Sequence, residues 1–155
     1  MKISWLWFVV ATIICWGSYV PAIHAGQMAI GGKFKGIWAF LFVGFAYFLT
    51  GVLLPIAYLW MNRADLGAWP TSRGAGISLF AGILGAIGAF GVILALMSGG
   101  TPKTVPPLVF AGAPIMATIV AMAMHPPTSK VNPLFFVGIL LAAAGAGLVL
   151  RFKPS

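Results

Sequence analysis

Five long apolar stretches, separated by short polar segments, run through the 155 residues of the chain. A helix that crosses the hydrocarbon core of a bilayer needs about 20 mostly apolar residues, and each stretch reaches that length. The stretches are continuously apolar, which disfavours the alternating strands of a membrane barrel. The pattern therefore predicts an all-α, polytopic membrane protein whose single domain, residues 1–155, is a five-helix transmembrane bundle. The predicted spans are residues 4–24, 37–60, 75–97, 105–124 and 133–150.

The segments between the spans are short, and they hold the charged residues. Every Asp, Glu, Lys and Arg lies between the apolar stretches or at a chain end. The longest connection, residues 61–74, leaves no room for a folded soluble domain. Its Trp69, together with Tyr58 and Trp60, is typical of the aromatic anchors found at membrane interfaces.

The first apolar stretch has one feature of a removable signal peptide, since it follows the positively charged Lys2. However, the bulky residues Trp16 and Tyr19 stand where small residues normally precede a cleavage site. We therefore expect this stretch to remain as a true span.

Charged residues make up 6% of the chain and apolar residues 61%. A soluble domain carries about 25% charged residues, so the composition excludes a soluble globular enzyme and also a disordered chain.

Nine Lys and Arg residues stand against one acid, Asp65, which gives a formal net charge of +8. They are scattered, as expected for loops beside anionic lipid, and do not form the patch that nucleic-acid binding requires. The single cysteine, Cys15, has no disulfide partner.

The basic residues barely distinguish the two sides of the membrane. Five spans place the two termini on opposite sides, so the sides receive four and five basic residues. One side holds Lys2, Arg63, Arg73 and Lys130, and the other holds Lys33, Lys35, Lys103, Arg151 and Lys153. Because orientation follows the difference between such sums, two interpretations stay open. Either the first helix sets a single orientation, or the chain inserts both ways and forms an antiparallel dimer.

Small residues recur at helical spacing in the last three spans. The sets are Gly82, Gly85, Gly88 and Gly91, then Ala113, Ala117 and Ala121, then Gly138, Ala142 and Ala146. This spacing lets helix backbones approach closely in lipid, and the glycine steps also leave a groove that can line a cavity. Prolines inside the spans, Pro21, Pro55 and Pro114, each free a carbonyl that protein or water must satisfy. Pro21 and Pro114 are candidate hinges.

The span interiors contain no Asp, Glu, Lys or Arg. Ion-coupled carriers commonly place a carboxylate or histidine within the membrane. His24 and His125 stand at span ends, where they serve either as a proton relay or as interfacial polar residues. The sequence shows no Ser–His–acid set, carboxylate pair or metal-ligand cluster, so we expect no catalysis and no metal or other cofactor.

Polar and aromatic residues inside the spans supply the candidate substrate-binding groups. They are Trp16, Ser18, Tyr19, Tyr47, Thr50, Ser78 and Thr118. Hydroxyls and aromatic rings suit a neutral or polyhydroxylated ligand. The alternative is that these groups only bond neighbouring helices.

Three segments resemble the drug/metabolite transporter superfamily, and more narrowly its sugar-uptake branches. They are Trp16-Gly17-Ser18-Tyr19-Val20-Pro21, residues 85–114 with a Gly-Gly-Thr-Pro turn, and residues 138–147. The resemblance implies one repeat of a ten-helix transporter, whose two inverted five-helix repeats hold the substrate between them. The chain departs from the superfamily at Met124-His125-Pro126, where many members have a Gly-Glu pair. It also lacks the first-span glutamate of the small four-helix exporters.

A half-length chain rebuilds the inverted pair by binding a copy, or a related chain, inserted the other way up. We therefore expect a multi-pass protein of the plasma or inner membrane that moves a small neutral or polyhydroxylated metabolite by alternating access. Its expected partners are the lipid bilayer, that solute and a second half-transporter chain, with no nucleic acid. The alternative is a non-transporting scaffold or subunit that binds a partner membrane protein.

The expected binding site combines residues of four spans. Trp16, Ser18 and Tyr19 form the first-helix side, and Thr50 and Thr118 lie opposite, with Tyr47 as a further candidate. Gly85 and Gly88 are expected to permit close approach, while Pro21 and Pro114 permit bending.

Overall fold

The computed structural model describes residues 4–62 and 70–152, which are helical and contain no strand. The helices are α1 (Ser4–Ile30), α2 (Lys35–Phe48), α3 (Leu54–Met61), α4 (Ser72–Met97), α5 (Val105–Met124) and α6 (Pro133–Arg151). A π-helical turn, Leu49–Leu53, joins α2 to α3, so that Lys35–Met61 forms one continuous span. Five spans are thus long and apolar enough to cross a membrane. This confirms the predicted all-α fold with five spanning helices.

Helices end where the local chemistry interrupts the hydrogen-bond ladder. α1 continues past its predicted end at His24, because the next strong interruption is the pair Gly31 and Gly32. These glycines adopt φ values of 66° and 73°, a left-handed conformation that favours glycine. The side chains of Thr71 and Asn132 accept main-chain N–H bonds and so cap the starts of α4 and α6.

The π-helical turn was not predicted, and Pro55 explains it. Proline has no N–H, so Pro55 cannot bond the carbonyl of Gly51 four residues earlier. The wider π register carries the ladder around this gap, as single π turns inside α-helices do. The Thr50 hydroxyl also donates to the Ala46 carbonyl at 2.8 Å on the same stretch. The span therefore stays continuous through its proline.

Some residues predicted to mark the membrane boundary can be placed and others cannot. Tyr58 and Trp60 lie in α3 with exposed side chains, as interfacial anchors require. The other predicted anchor, Trp69, lies outside the described residues, and so do Arg63 and Asp65 of the same connection.

The chain divides into two compact units. The α5–α6 unit comprises residues 1–20 and 99–155, and the α2–α4 unit comprises residues 21–98. The chain passes from one unit to the other at two places. The first is Pro21, inside α1. The second is the turn after α4, where Gly99 has a φ of 97°.

Within the α2–α4 unit, α2 packs against α4. The rings of Phe40 and Phe90 stack with centroids 4.9 Å apart and planes inclined by 37°. Three residues close to these phenylalanines in sequence are buried: Ala39 of α2, and Ala89 and Ile93 of α4. Aromatic stacking and small buried side chains therefore hold this helix pair together.

Among the described glycines, Gly36, near the start of α2, has the tightest surroundings. A Cβ added there would overlap the Met97 side chain and lie 3.2 Å from Ile93 Cγ2. By contrast, a Cβ at Gly85 or Gly88 of α4 would meet nothing within 4 Å. The close helix contact within the described chain thus uses a glycine of α2, outside the α4 glycine series.

Within the α5–α6 unit, α5 packs along α6. Val105 and Pro106 are buried at the start of α5, whereas α6 buries none of its residues. Large apolar side chains of both helices, such as Met116 and Leu140, are exposed within this unit.

We predict that Gly36→Leu lowers the free energy of unfolding by about 1–3 kcal/mol, because overpacking forces neighbouring side chains apart. Thermal unfolding in one detergent measures the effect. Gly44→Leu is the matched control, since Gly44 lies on the same helix with open space at its Cβ position.

Shortening the opposing side chain should relieve the overlap, so Gly36→Leu combined with Met97→Ala is expected to regain part of the loss. Equal destabilisation by the Gly36 and Gly44 variants would contradict the α2–α4 contact.

Candidate solute-binding site

A half-open cavity of about 470 Å³ lies in the α5–α6 unit. It is lined by Thr12, Ile13, Trp16 and Gly17 of α1 and by Phe110 of α5. Thr12 and Ile13 stand three to five positions before Trp16 and Gly17. This spacing places all four residues on one face of α1. The volume falls within the range of about 300–1,000 Å³ typical of small-molecule sites.

Aromatic rings form the wall of this cavity. Trp16 meets Phe110 nearly edge-on, with centroids 6.2 Å apart and planes at 84°. Trp16 also contacts Tyr19, at 6.1 Å and 51°. These geometries are favourable for aromatic pairs. They hold Trp16 between two rings while leaving it 47% exposed, so that its face is available to a ligand.

The cavity carries no ionisable side chain among its lining residues. The Thr12 hydroxyl donates to the Phe8 carbonyl at 2.8 Å, so its proton is already used within α1. An ion placed here would lose its hydration without finding an opposite charge, at a large cost. The site is therefore suited to an uncharged molecule.

The structure brings two of the predicted binding residues together, Trp16 and Tyr19, and adds Phe110 to them. Ser18 is exposed on α1, and Thr118 is half-buried on α5. The candidate hinge Pro114 lies inside α5. His125 is exposed at the C-terminal end of α5, where its main-chain N–H donates to the Ala121 carbonyl at 2.8 Å.

The remaining predicted site residues belong to the α2–α4 unit. They are Pro21, His24, Tyr47, Thr50, Gly85 and Gly88. Tyr47 is exposed, and the Thr50 hydroxyl is occupied by the Ala46 carbonyl of its own helix. Gly85 and Gly88 are also exposed, with open space beside them. Their roles in binding stay predictions.

Two residues that the sequence did not single out emerge in the structure. Phe110 completes the cavity wall, but its apolar side chain looks like any other span residue in sequence. Gln27 is 1% exposed, and its Nε2 has no hydrogen-bond partner among the described residues. Nδ1 of His24, one turn earlier on α1, is likewise buried without a partner within the part of the chain described.

Gln27 was not predicted, because the first span was expected to end at His24. With α1 continuing to Ile30, a glutamine three residues after a histidine falls on the same helix face. An amide on that face of an apolar helix is the sequence feature that would have identified it. Across the residues described, no group of three His, Cys, Asp or Glu side chains is placed to hold a metal ion.

We predict that Gln27→Met raises the free energy of unfolding by about 1–3 kcal/mol, because a buried N–H without a partner carries an uncompensated desolvation cost. Methionine is of similar length and adapts to irregular space. Chemical unfolding followed by tryptophan fluorescence measures the change, with the exposed-site variant Ser98→Ala as control. A loss of stability would mean that the amide has a partner in the assembled protein.

No protein-family model, curated protein or solved structure matches this chain.

Proposed function

We propose that the protein is a half-transporter that moves a small uncharged solute across a membrane by alternating access, working as an antiparallel dimer. The observation that carries this proposal is the cavity walled by Trp16 and Phe110. It lies on the segment of α1 that resembles the first helix of drug/metabolite transporters. A concave, mostly apolar site with few polar groups is the usual form of a small-molecule site.

The charge distribution supports an uncharged solute. No acid lies in any span interior, and the one acid of the chain, Asp65, belongs to a connection. A charged solute within the membrane normally meets an opposite charge there. Hydroxyl and amide groups need only hydrogen bonds, which aromatic edges, hydroxyls and main-chain groups provide.

The exposed helices support pairing with a second chain. α6 buries none of its residues, and α5 buries only Val105 and Pro106, at its start. The near-equal basic charge of the two sides permits insertion in both orientations. Two oppositely inserted copies would recreate the inverted repeats of a full-length transporter, with the same residues of each copy at the shared site.

The position of Pro21 supports movement. It lies inside α1 at the division between the two compact units, and the other crossing of that division is the turn at Gly99. A proline inside a helix removes one ladder bond and allows bending. A first helix that bends at this position would support alternating access.

The competing function is a non-transporting scaffold, and the apolar exposed surface of α6 favours it. Such a surface is what a partner membrane protein would cover. A scaffold would bind its partner without carrying any solute, so transport measurements separate the two functions.

We predict that Trp16→Ala combined with Tyr19→Ala lowers uptake about tenfold or more at limiting solute. Burying one large aromatic side chain against a ligand contributes roughly 1.5–3 kcal/mol. The assay measures entry of radiolabelled hexoses, pentoses, polyols and neutral amides into proteoliposomes that contain the purified protein.

Trp7→Ala is the matched control for this experiment, because Trp7 lies on the same helix, is 74% exposed and does not line the cavity. Unchanged uptake in the double variant would remove the site assignment. Absence of protein-dependent uptake across the whole panel would favour the scaffold.

Antiparallel assembly makes a separate prediction about topology. In a Cys15→Ala background, single cysteines at Ser4 and Ser155 should each react with membrane-impermeant maleimide from both sides of the membrane. Equal populations would be labelled before and after the vesicles are opened. Labelling of each terminus from one side only would contradict the antiparallel homodimer and require a different partner chain.

A further inference from the structure

The residues that line the cavity of the α5–α6 unit present an almost wholly apolar surface. Their polar side-chain groups are the Thr12 hydroxyl and the Trp16 indole N–H, and the hydroxyl already donates to the Phe8 carbonyl at 2.8 Å. A ligand hydroxyl that loses its water here without regaining a hydrogen bond lowers the affinity roughly tenfold or more. A polyol carries several hydroxyls, so this surface disfavours the polyhydroxylated solutes expected from the sequence.

The wall of the cavity is held in one shape. Trp16 lies between the rings of Tyr19 and Phe110, whose centroids are 6.1 and 6.2 Å from its own. Thr12 and Ile13 are β-branched, and such side chains have few rotamers in a helix. A flexible acyl chain would lose conformational freedom on settling against this wall, whereas a rigid flat ring has little to lose. The wall therefore favours a rigid ligand.

Gly17 leaves room for such a ring. It lines the cavity, and a Cβ added to it would meet nothing within 4 Å. Glycine inside a helix costs stability compared with alanine, and no contact within the described chain requires a glycine at this position. An apolar cavity of about 150 Å³ can hold benzene, so the volume of about 470 Å³ found here is ample for an aromatic ring.

The two rings of the wall distinguish an aromatic ligand from a saturated one. Trp16 is 47% exposed and Phe110 36% exposed, and their planes are inclined by 84°. A flat ring that lies parallel to one of them is therefore edge-on to the other, and both arrangements are favourable between aromatic rings. Saturated hydrocarbon, including the acyl chains of lipid, gains only the burial of its area.

We propose that the cavity binds a small uncharged aromatic molecule, which lies in the corner between Trp16 and Phe110 beside Gly17. This inference rests on the proposed function, because it takes the cavity as the solute site. It narrows the solute from any small uncharged molecule to an aromatic one. Since the acyl chains of the bilayer contain no aromatic ring, aromatic contacts let the site select its solute from the surrounding hydrocarbon.

Benzene, cyclohexane and scyllo-inositol test this class, because they share a six-membered carbon ring and differ in aromaticity and hydroxyl groups. The full chain is labelled with fluorotryptophan and placed in lipid nanodiscs, where ¹⁹F NMR follows each tryptophan. The resonance that disappears in Trp16→Leu belongs to Trp16. The one that disappears in Trp7→Leu belongs to Trp7, which is 74% exposed and does not line the cavity.

We expect benzene to shift the Trp16 resonance saturably, with an affinity roughly fivefold higher than that of cyclohexane, as aromatic contacts imply. Both affinities are corrected for partition into empty nanodiscs. Scyllo-inositol should not shift the Trp16 resonance, and none of the three probes should shift the Trp7 resonance saturably. Phe110→Leu keeps apolar bulk but removes one ring, so it should bring the benzene and cyclohexane affinities to within about twofold of each other.

Gly17→Leu and Gly26→Leu form a matched pair of variants. Both glycines lie in α1 with open space at the Cβ position, so both variants should fold, as an unchanged Trp7 resonance would show. Of the two, Gly17 lines the cavity and Gly26 does not. Gly17→Leu should abolish the saturable benzene shift, and Gly26→Leu should leave it unchanged.

Equal affinities for benzene and cyclohexane, a saturable shift with scyllo-inositol, or a Gly17→Leu variant that binds benzene normally would each overturn the proposal. A Trp16 resonance that follows the acyl-chain length of the lipid and ignores benzene would identify lipid as the occupant, with the same consequence. Uptake of hexoses without a saturable benzene shift would leave transport standing with a polar solute. Gly17-dependent benzene binding without uptake of any aromatic or hydroxylated solute would keep the binding site and reject transport.

Discussion

Hydrocarbon offers a main-chain N–H or C=O no solvent to bond, so nearly every such group must be satisfied within the protein. This constraint accounts for the helical described chain and for the short connections between its spans. It also gives the interior prolines their significance, because each lacks the N–H that would bond the carbonyl four residues earlier.

The spans were predictable because length and continuous apolarity are properties of the sequence itself. The ends of the spans and the irregularities within them were harder to predict. α1 runs beyond His24 because helix propensity and packing outweigh the polar character of its last turns. The π-helical turn depends on how the ladder rearranges around Pro55, and sequence spacing does not specify that choice. The close contact at Gly36 depends on the register between α2 and α4, which periodicity within one helix leaves open.

In the candidate site, too, contacts within one helix could be predicted from the sequence, and contacts between helices could not. Trp16 and Tyr19 were predicted because both belong to one motif on α1, and their contact follows from helical spacing. Phe110 was not predicted, since its contact with Trp16 joins two different helices and helical spacing does not specify it. Gln27 was missed because its burial depends on the length of α1.

The unsatisfied groups help to weigh transport against a scaffold role. The buried Gln27 amide has no partner among the residues that the structure describes, which costs stability compared with an apolar replacement. The interior prolines at residues 21 and 114 cost stability compared with alanine. Packing against a partner protein does not require a proline inside a helix. A protein that works by alternating access needs a helix that can bend, and an interior proline allows that. Sites where stability is given up without a structural return are typical of function. Pro21 and Pro114 each stand four residues after a residue that lines the cavity, Gly17 and Phe110.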